Sequence, residues 1–368
     1  MFSALDHQMM ARALRLAEQG LYTTTPNPRV GCVIVKDGQI VGEGAHLKAG
    51  EPHAEVHALR QAGDLAQGAD AYVTLEPCSH HGRTPPCADA LIKAGVKRVV
   101  AAMQDPNPQV AGSGLQRLQA QGIAVQSGLL EAQARSLNAG FISRMTRRRP
   151  FVRSKIAASL DGATALQNGI SQWITGPEAR KDVQHWRAQS CVMLTGIGTV
   201  LADDPQLSVR DEAGELQGRQ PLRVIVDSHL QISPQARILQ GGNALIVYGS
   251  ASADRIAALC QHGVELMHLP DHQSRVSLDS LLELLASRGI NEVMVEAGAT
   301  LNGALLHGGL IDQLILYYAP KLLGADARGM FGLPMLQSMA ARIDLDITDM
   351  RQIGRDIRLL ATPHSPQP

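Results

Sequence analysis

Aromatic side chains are scarce in this chain: phenylalanine, tyrosine and tryptophan together make up 3% of its 368 residues. Hydrophobic residues still reach 45%, so a core is available, but it must be largely aliphatic, as in layered α/β packing. Net charge is missing as well. Basic and acidic residues balance at 34 each, which removes the electrostatic footprint expected of a nucleic-acid binder. No uninterrupted apolar run approaches the ~20 residues of a membrane span. The start, Met1-Phe2-Ser3-Ala4-Leu5-Asp6, lacks the basic-then-apolar pattern of a secretion signal. Five cysteines, at 32, 78, 87, 191 and 260, are odd in number and dispersed, which is not a disulfide framework. These absences point to a cytoplasmic, soluble enzyme without membrane or nucleic-acid partners. The length suggests two domains of about 150–200 residues each.

What is present centres on three short runs: His53-Ala54-Glu55, Glu76-Pro77-Cys78 and Pro86-Cys87. One histidine and two cysteines form the ligand set of a zinc deaminase, with the fourth position open to water. The glutamate two residues after the histidine is the proton-transfer group and not a ligand. Two thiolates and a neutral imidazole leave the metal site neutral, yet zinc still lowers the pKa of its water toward ~7. Pro52 suits the first turn of a helix whose apolar positions include Val56 and Leu59, with Gly63 past its end. Ala71–Leu75 reads as a strand, and Pro85-Pro86-Cys87 opens a second helix that runs through Ile92 to Gly95. His53 and Cys87 then both fall at helix N-termini, where the dipole favours a thiolate.

One spacing departs from the usual deaminase pattern. That pattern ends Pro-Cys-x-x-Cys, whereas eight residues separate Cys78 from Cys87. A loop of that length can still return the second sulfur, and it brings His80, His81 and Arg83 to the rim. The plainer reading, two buried cysteines and a surface histidine, does not account for the joint match. A zincin protease fits poorly, because in His53-Ala54-Glu55-Val56-His57 the glutamate comes one place late for H-E-x-x-H. His57 reads as a helix-face residue.

In chain order, Leu5–Gln19 is an amphipathic helix ended by Gly20. Thr25-Pro26-Asn27-Pro28-Arg29 is a stiff turn that presents Asn27 either for recognition or simply as a turn residue. Val30–Lys36 and Gln39–Glu43 form a hairpin around Asp37-Gly38. Lys97–Met103 and Ile123–Gln126 are further strands, with a helix over Leu115–Gln121 between them. Residues 144–150, basic and closed by Pro150, read as a solvated linker or helix end. The domains expected are 1–146 and 147–368. Strands then recur at Phe151–Ala157, Cys191–Thr195, Leu222–Val226, Ala244–Tyr248, Val264–Leu269, Glu292–Glu296 and Gln313–Ala319. Helices Ala251–Gln261 and Ser277–Ser287 lie between some of them, and Thr362–Pro368 is a polar tail. Alternation of this kind makes both halves α/β.

Three stretches of the second half look chemical. Thr195-Gly196-Ile197-Gly198-Thr199 follows a strand but lacks the third glycine of a Rossmann fingerprint. The run from Glu296 to Gly303 follows a strand and opens a helix whose free N–H groups can hold a phosphate. Polar groups alternate from Lys155 to Gly162. Each has a plain alternative in turn glycines or strand-edge polarity.

Together these residues resemble the bifunctional riboflavin-biosynthesis deaminase–reductase family, over nearly the entire chain. The resemblance rests on the Thr25–Gly31 run, on His53-Ala54-Glu55, and on Glu76 through Cys87 with its long cysteine loop. In the second half it rests on Lys155–Gly162, on Ser171-Gln172-Trp173-Ile174-Thr175, on Thr195 through Pro205, and on Val295-Glu296-Ala297-Gly298. Ala163 departs from it, standing where a basic residue is expected, and this touches only a peripheral contact. The resemblance implies a cytidine-deaminase-like three-layer domain followed by a dihydrofolate-reductase-like domain. It implies zinc-dependent deamination of 2,5-diamino-6-ribosylamino-4(3H)-pyrimidinone 5′-phosphate, with Glu55 moving the proton. NADPH-dependent reduction of the product's ribosyl group to ribityl would follow.

Carried over position by position, His53, Cys78 and Cys87 hold zinc, while Asn27, His46, His80 and Arg83 line the deaminase pocket. Ala157, Trp173, Thr199, Asp203, Ser228, Gly298, Ala299, Thr300, Leu301, Asn302, Gly303 and Ala304 face NADPH. Ser171, Arg187, Leu207, Arg210 and Glu296 face the reductase substrate; an arginine fork suits its phosphate. Lys155 and Asp203 are candidate proton donors. Small phosphorylated pyrimidines are the expected partners, and a homo-oligomer the expected assembly. Two rivals are a cytidine or nucleic-acid deaminase with an accessory domain and a non-catalytic zinc scaffold. Neutral charge and the Pro-Pro-bearing loop disfavour the first, and an intact Glu55 the second.

Overall fold

Two glycines of one strand decide how the first active-site helix is seated. In the computed structural model, which describes residues 1–79, 85–108, 110–211 and 213–364, the chain forms two units, Met1–Arg149 and Pro150–Pro368. The first unit opens with α1 (Ala4–Ala17), started by a capping box in which Ser3 and Asp6 exchange hydrogen bonds. Strands β1 (Gly31–Lys36) and β2 (Gln39–Ala45) follow. Asp37 and Gly38, at φ of 49° and 80°, make the turn between them, as a two-residue hairpin loop with two positive φ values requires. Then come α2 (Ala54–Ala62), β3 (Asp70–Val73), α3 (Cys87–Lys93), β4 (Arg98–Ala101), α4 (Ser113–Ala120), β5 (Ala124–Ser127), α5 (Glu131–Leu137) and α6 (Ala139–Arg147).

The sheet runs β2-β1-β3-β4-β5, antiparallel at β1 and parallel beyond β3. A Cβ on Gly31 would stand 2.0 Å from Ala13 O, so α1 lies directly on that face. On the opposite face, Cβ atoms at Gly42 and Gly44 would stand 2.1 Å from Ala58 O and Ala54 O. Gly44 pairs with Cys32 while Gly31 pairs with Ala45. Because neighbours along a strand point to opposite faces, α1 and α2 sandwich the sheet in three layers.

The close approach is made by the small residues of α2, with Leu59 packing at the edge of the core. Ala54, Glu55, Ala58 and Ala62 are its buried residues, and Val56 and Leu59 are only half buried. Ala54, His57 and Ala58 lie against Gly44, and Ala58 and Ala62 against Gly42. Pro52 also lies outside the helix, since His53 is the N-cap, in extended backbone.

The second unit contains β6 (Phe151–Ser159), β7 (Ala163–Ala165), α7 (Pro177–Gln189), β8 (Val192–Gly196), α8 (Ile197–Asp203), β9 (Leu222–Val226) and β10 (Ala244–Tyr248). They are followed by α9 (Ala253–Gln261), β11 (Glu265–His268), α10 (Leu278–Ser287), β12 (Glu292–Val295), α11 (Ala299–His307), β13 (Gln313–Ala319), β14 (Arg328–Gly329), β15 (Asp344–Ile353) and β16 (Asp356–His364). Nine strands form one sheet in the order β11-β10-β9-β8-β12-β6-β13-β16-β15, parallel from β11 to β13. Successive residues split between two cores. Val192, Leu194, Val293 and Val295 join one, and Met193 and Met294 the other, as expected of a sheet covered on both faces.

The closing hairpin β15–β16 was not expected from the sequence, and Thr362 to His364, read as tail, belong to β16. β15 is solvent-exposed along nearly its full length, so it lacks the buried alternation that marks a strand. Helix α7 was also unanticipated; it buries only Ala179 and Val183. Among the described residues no helix is long and apolar enough to cross a membrane.

Candidate active sites

In the first unit, three elements aim their ends at one point. His53 caps α2, Cys87 is the first residue of α3, and Cys78 sits on the loop after β3. The ligand atoms of these three residues lie within 4.8 Å of one another. His53 Nδ1 is 3.3 Å from Cys87 Sγ and 3.7 Å from Cys78 Sγ, and the Cys87 N–H donates to Cys78 Sγ at 3.3 Å. The loop carrying Cys78 is tied down by Glu76. Its buried carboxylate accepts from the N–H groups of Asp105, Gly112 and Gly114 at 3.0, 2.9 and 2.8 Å.

The two sulfurs compete for one negative charge. The Cys87 thiol donates to Cys78 and, with help from His53, holds the Cys78 thiol down at about 4 despite burial. Cys87 is pushed up by that same hydrogen bond, by burial and by Glu55. A divalent cation between them relieves this conflict, and a soft N/S donor set of this kind suits zinc.

Glu55 is 3% exposed. Burial raises its carboxyl to about 7, against the pull of His53. Its Oε2 has no hydrogen-bond partner among the described residues. An unpaired buried oxygen is costly, and here it belongs to the group expected to handle protons.

Asn27 and His46 lie beside this cluster. Asn27 Nδ2 is 3.1 Å from His46 Nε2, His46 Nδ1 is 3.1 Å from Pro52 O, and the His46 and His53 rings meet edge to face at 5.3 Å. A carbonyl only accepts, so Nδ1 carries the proton and Nε2 accepts from the amide. Burial also lowers the pKa of His46, in keeping with the neutral ring. His80 and Arg83 lie outside the described residues.

In the second unit the strand ends β8 and β12 are parallel neighbours, and each turns into a helix. Gly298 is the N-cap of α11. A Cβ there would find Thr199 Oγ1 at 3.9 Å as its nearest neighbour, and one on Gly198 would find nothing within 4 Å. Open backbone at the carboxyl ends of parallel strands suits the phosphates of a dinucleotide. Along α11 the side chains diverge. Leu301 packs behind Gly196, Asn302 bonds Ser154 Oγ and Ala297 O, and Gly303 abuts the Gly332 backbone. The Leu301 and Asn302 side chains point into protein and Gly303 is buried, while Gly298, Thr300 and Ala304 are exposed and Ala299 half buried. Ala157 and Ser228 are half buried, and the Ser228 hydroxyl accepts from Val276 N–H at 3.3 Å. Asp203, the last residue of α8, is exposed. Trp173 is exposed too, under the Arg180 guanidinium at 4.5 Å.

Next to these turns Arg187 grips Glu296 through both oxygens, at 2.6 and 3.0 Å, and Lys155 Nζ stands 3.6 Å from Glu296 Oε2. Burial would raise the Glu296 carboxyl, but Arg187 and then Lys155 bring it down to about 2. Burial and Arg187 lower Lys155, against the pull of Glu296. Leu207 is buried at a φ of 50°. Arg210 donates to Ser208 Oγ at 2.9 Å, to Gly214 O and to Gln206 Oε1. Ser171 is half buried. Sequence reasoning did not pair Lys155 with Glu296, nor single out Gly44; the first needs strand register and the second a helix–sheet contact.

A histidine–dicysteine cluster with a buried acid in one unit, and an open crevice at parallel strand ends in the other, define a metal-dependent deaminase joined to a dinucleotide-dependent reductase. Residues 3–103 match the cytidine and deoxycytidylate deaminase zinc-binding region, and residues 150–359 match the RibD C-terminal domain. The riboflavin biosynthesis protein RibD of Escherichia coli K12 is 53% identical over 96% of this chain and 98% of its own. That of Haemophilus influenzae is 50% identical over 98% of both. Among solved structures, Acinetobacter baumannii RibD is 48% identical with a TM-score of 0.90, covering 98% of this chain and 99% of that one. A Thermotoga maritima diaminohydroxyphosphoribosylaminopyrimidine deaminase/5-amino-6-(5-phosphoribosylamino)uracil reductase is 34% identical with a TM-score of 0.86, at the same coverage. The chain belongs to the RibD family of riboflavin biosynthesis proteins. It is a bifunctional enzyme, deaminase and reductase, with zinc and NADPH as cofactors.

Proposed function

We propose that His53, Cys78 and Cys87 hold the zinc ion and that Glu55 carries the proton in deamination of 2,5-diamino-6-ribosylamino-4(3H)-pyrimidinone 5′-phosphate. The observation that carries this reading is the convergence of three ligand atoms beside an unpartnered glutamate oxygen. Zinc supplies Lewis acidity that lowers the pKa of water toward ~7. Glu55 Oε2 takes the proton released as water adds to the amino-bearing carbon and returns it to the departing amine, so ammonia leaves and a carbonyl remains. Asn27, oriented by His46, keeps its carbonyl oxygen for a substrate N–H.

In the second unit NADPH supplies the hydride that converts the ribosyl group to ribityl. The first turn of α11 and Thr199 would hold its phosphates, and Trp173 and Ser228 would help to bind the rest of it. Ser171, Arg187, Leu207, Arg210 and Glu296 face the reductase substrate, with an arginine fork suited to its phosphate and the Glu296 carboxylate to its hydroxyl or N–H groups. Lys155, held against Glu296, holds the proton that reduction consumes. Small phosphorylated pyrimidines are thus its partners. The free cysteines among the described residues support a reducing, cytoplasmic setting. Exposed Leu345, Ile347 and Met350 on the edge strand β15 support a homo-oligomer.

A two-step assay tests the reading: ammonia release from the diaminopyrimidine, then NADPH consumption on the product. Ammonia release from cytidine or oligonucleotides, and none from the diaminopyrimidine, would overturn it.

A further inference from the structure

The turn that carries Asn27 has no strand or helix of its own to fix it, yet both of its ends are held by one helix pair. Asn138, at the junction of α5 and α6, recognises the main chain of Arg29 at two points. Its Oδ1 accepts from Arg29 N–H at 2.8 Å, and its Nδ2 donates to Arg29 O at 3.0 Å. The Arg29 side chain returns the contact, donating to Leu137 O at 2.6 Å and to Leu21 O at 3.1 Å. At the other end, Arg144 on α6 donates to Pro26 O at 2.8 Å. Asn138 and Arg29 are 2% and 5% exposed.

An amide that meets both the N–H and the C=O of one residue copies the pairing of a neighbouring strand. Arg29 lies two residues before the start of β1, so this pairing carries the order of the sheet back into the turn. Buried backbone groups left unmatched are costly, which makes Asn138 a specific partner rather than a filler. The helix pair lies between the two matched regions, 3–103 and 150–359.

We propose that Asn138 and Arg144 are positioning residues for deamination: through the 25–29 turn they hold Asn27 against His46 and so fix its free carbonyl oxygen toward the substrate. This rests on the reading of Asn27 as a substrate contact. A loosened turn would still allow zinc to bind and Glu55 to act, so the loss should fall on substrate capture. KM should rise while kcat changes little, the mark of binding shared by ground and transition states.

The test uses the full-length, zinc-loaded protein and a double-mutant cycle. Asn27→Ala, Asn138→Ala and Arg144→Ala are assayed singly, and each of the last two is combined with Asn27→Ala. Each single variant should raise KM for deamination, Asn138→Ala by about tenfold, the worth of a lost hydrogen-bonded contact. Zinc content and NADPH-dependent reduction of the deaminated intermediate should stay normal. In the doubles the increases should fall well short of multiplying, because the brace acts through Asn27. Arg144→Lys, which still donates to Pro26 O, should restore KM. If Asn138→Ala does not fold, the surface Arg144 pair decides alone. An Asn27→Ala protein with unchanged KM would overturn the reading of Asn27 and the brace with it. An impaired Asn27→Ala together with normal or fully multiplicative brace variants would overturn the brace only.

Discussion

Arg187 holds both carboxylate oxygens of Glu296, through Nε at 2.6 Å and a terminal nitrogen at 3.0 Å. The two residues stand 109 positions apart and meet only because α7 packs beside the end of β12. Lys155 on β6 approaches the same carboxylate. Three charges thus share one largely buried place, and the pair is worth more intact than either half alone, since a single buried charge is uncompensated.

That pairing makes a pH prediction. The Glu296 carboxyl falls from 4.5 to about 2 in the folded chain. A depressed carboxyl stabilises the fold above its unfolded pKa, and the benefit is lost as pH falls through the folded value. Up to about 3 kcal/mol should therefore disappear between pH 4.5 and 2. Urea unfolding of the second unit at pH 5 and pH 3 should show a shallower decline for Glu296→Gln than for the parent. Equal declines would show that Glu296 is not the linked group.

Glu55→Gln should retain zinc and lose deamination by ~10²–10⁴-fold, the worth of a positioned acid–base group. Supplied with authentic deaminated intermediate, the same protein should consume NADPH at the parental rate. Near-normal ammonia release with a full complement of zinc would remove Glu55 from proton transfer.

Cys78→Ala and Cys87→Ala should each bind zinc far more weakly, because a catalytic zinc site normally keeps three protein ligands. Metal analysis after dialysis reads this directly. A chelator should likewise silence ammonia release while leaving the reductase active, and full zinc occupancy in either variant would contradict the ligand assignment.

Gly44→Ala tests the seat of α2. The added Cβ would stand 2.1 Å from Ala54 O, so the helix start bearing His53 and Glu55 must shift outward. Overpacking of this kind costs about 1–3 kcal/mol, and deamination should fall steeply with the reductase unaffected. Parental activity and melting temperature in this variant would mean the contact is looser than the structure has it.

The chemistry of the first unit was legible because it needs particular side chains. A histidine with a glutamate two residues on, and two cysteines after proline, have few other uses together. The strands of the second unit were legible where they are buried on both faces, as at Leu222–Val226 and Ala244–Tyr248, which the structure assigns to the same bounds. What escaped depends on distance. The partnership of Lys155 with Glu296 requires the register between β6 and β12. The seat of α2 depends on glycines in another strand, and Asn138 acts on Arg29 across 109 positions. Edge strand β15 faces solvent, so its composition follows water and not a core.

The order of strands in the large sheet also bears on the birth of the protein. Strand β6 emerges first from the second unit, but its two neighbours, β12 and β13, are among the later strands to be made. Arg153 on β6 waits 139 residues for Glu292 on β12, on the order of ten seconds at the pace of a ribosome. During that interval both edges of β6 wait for partners, while the first unit has all of its own strands. Chaperone dependence and aggregation during overexpression should accordingly track the second unit, and relieving them calls for cover on the waiting strand, such as added chaperone, rather than a more stable zinc site.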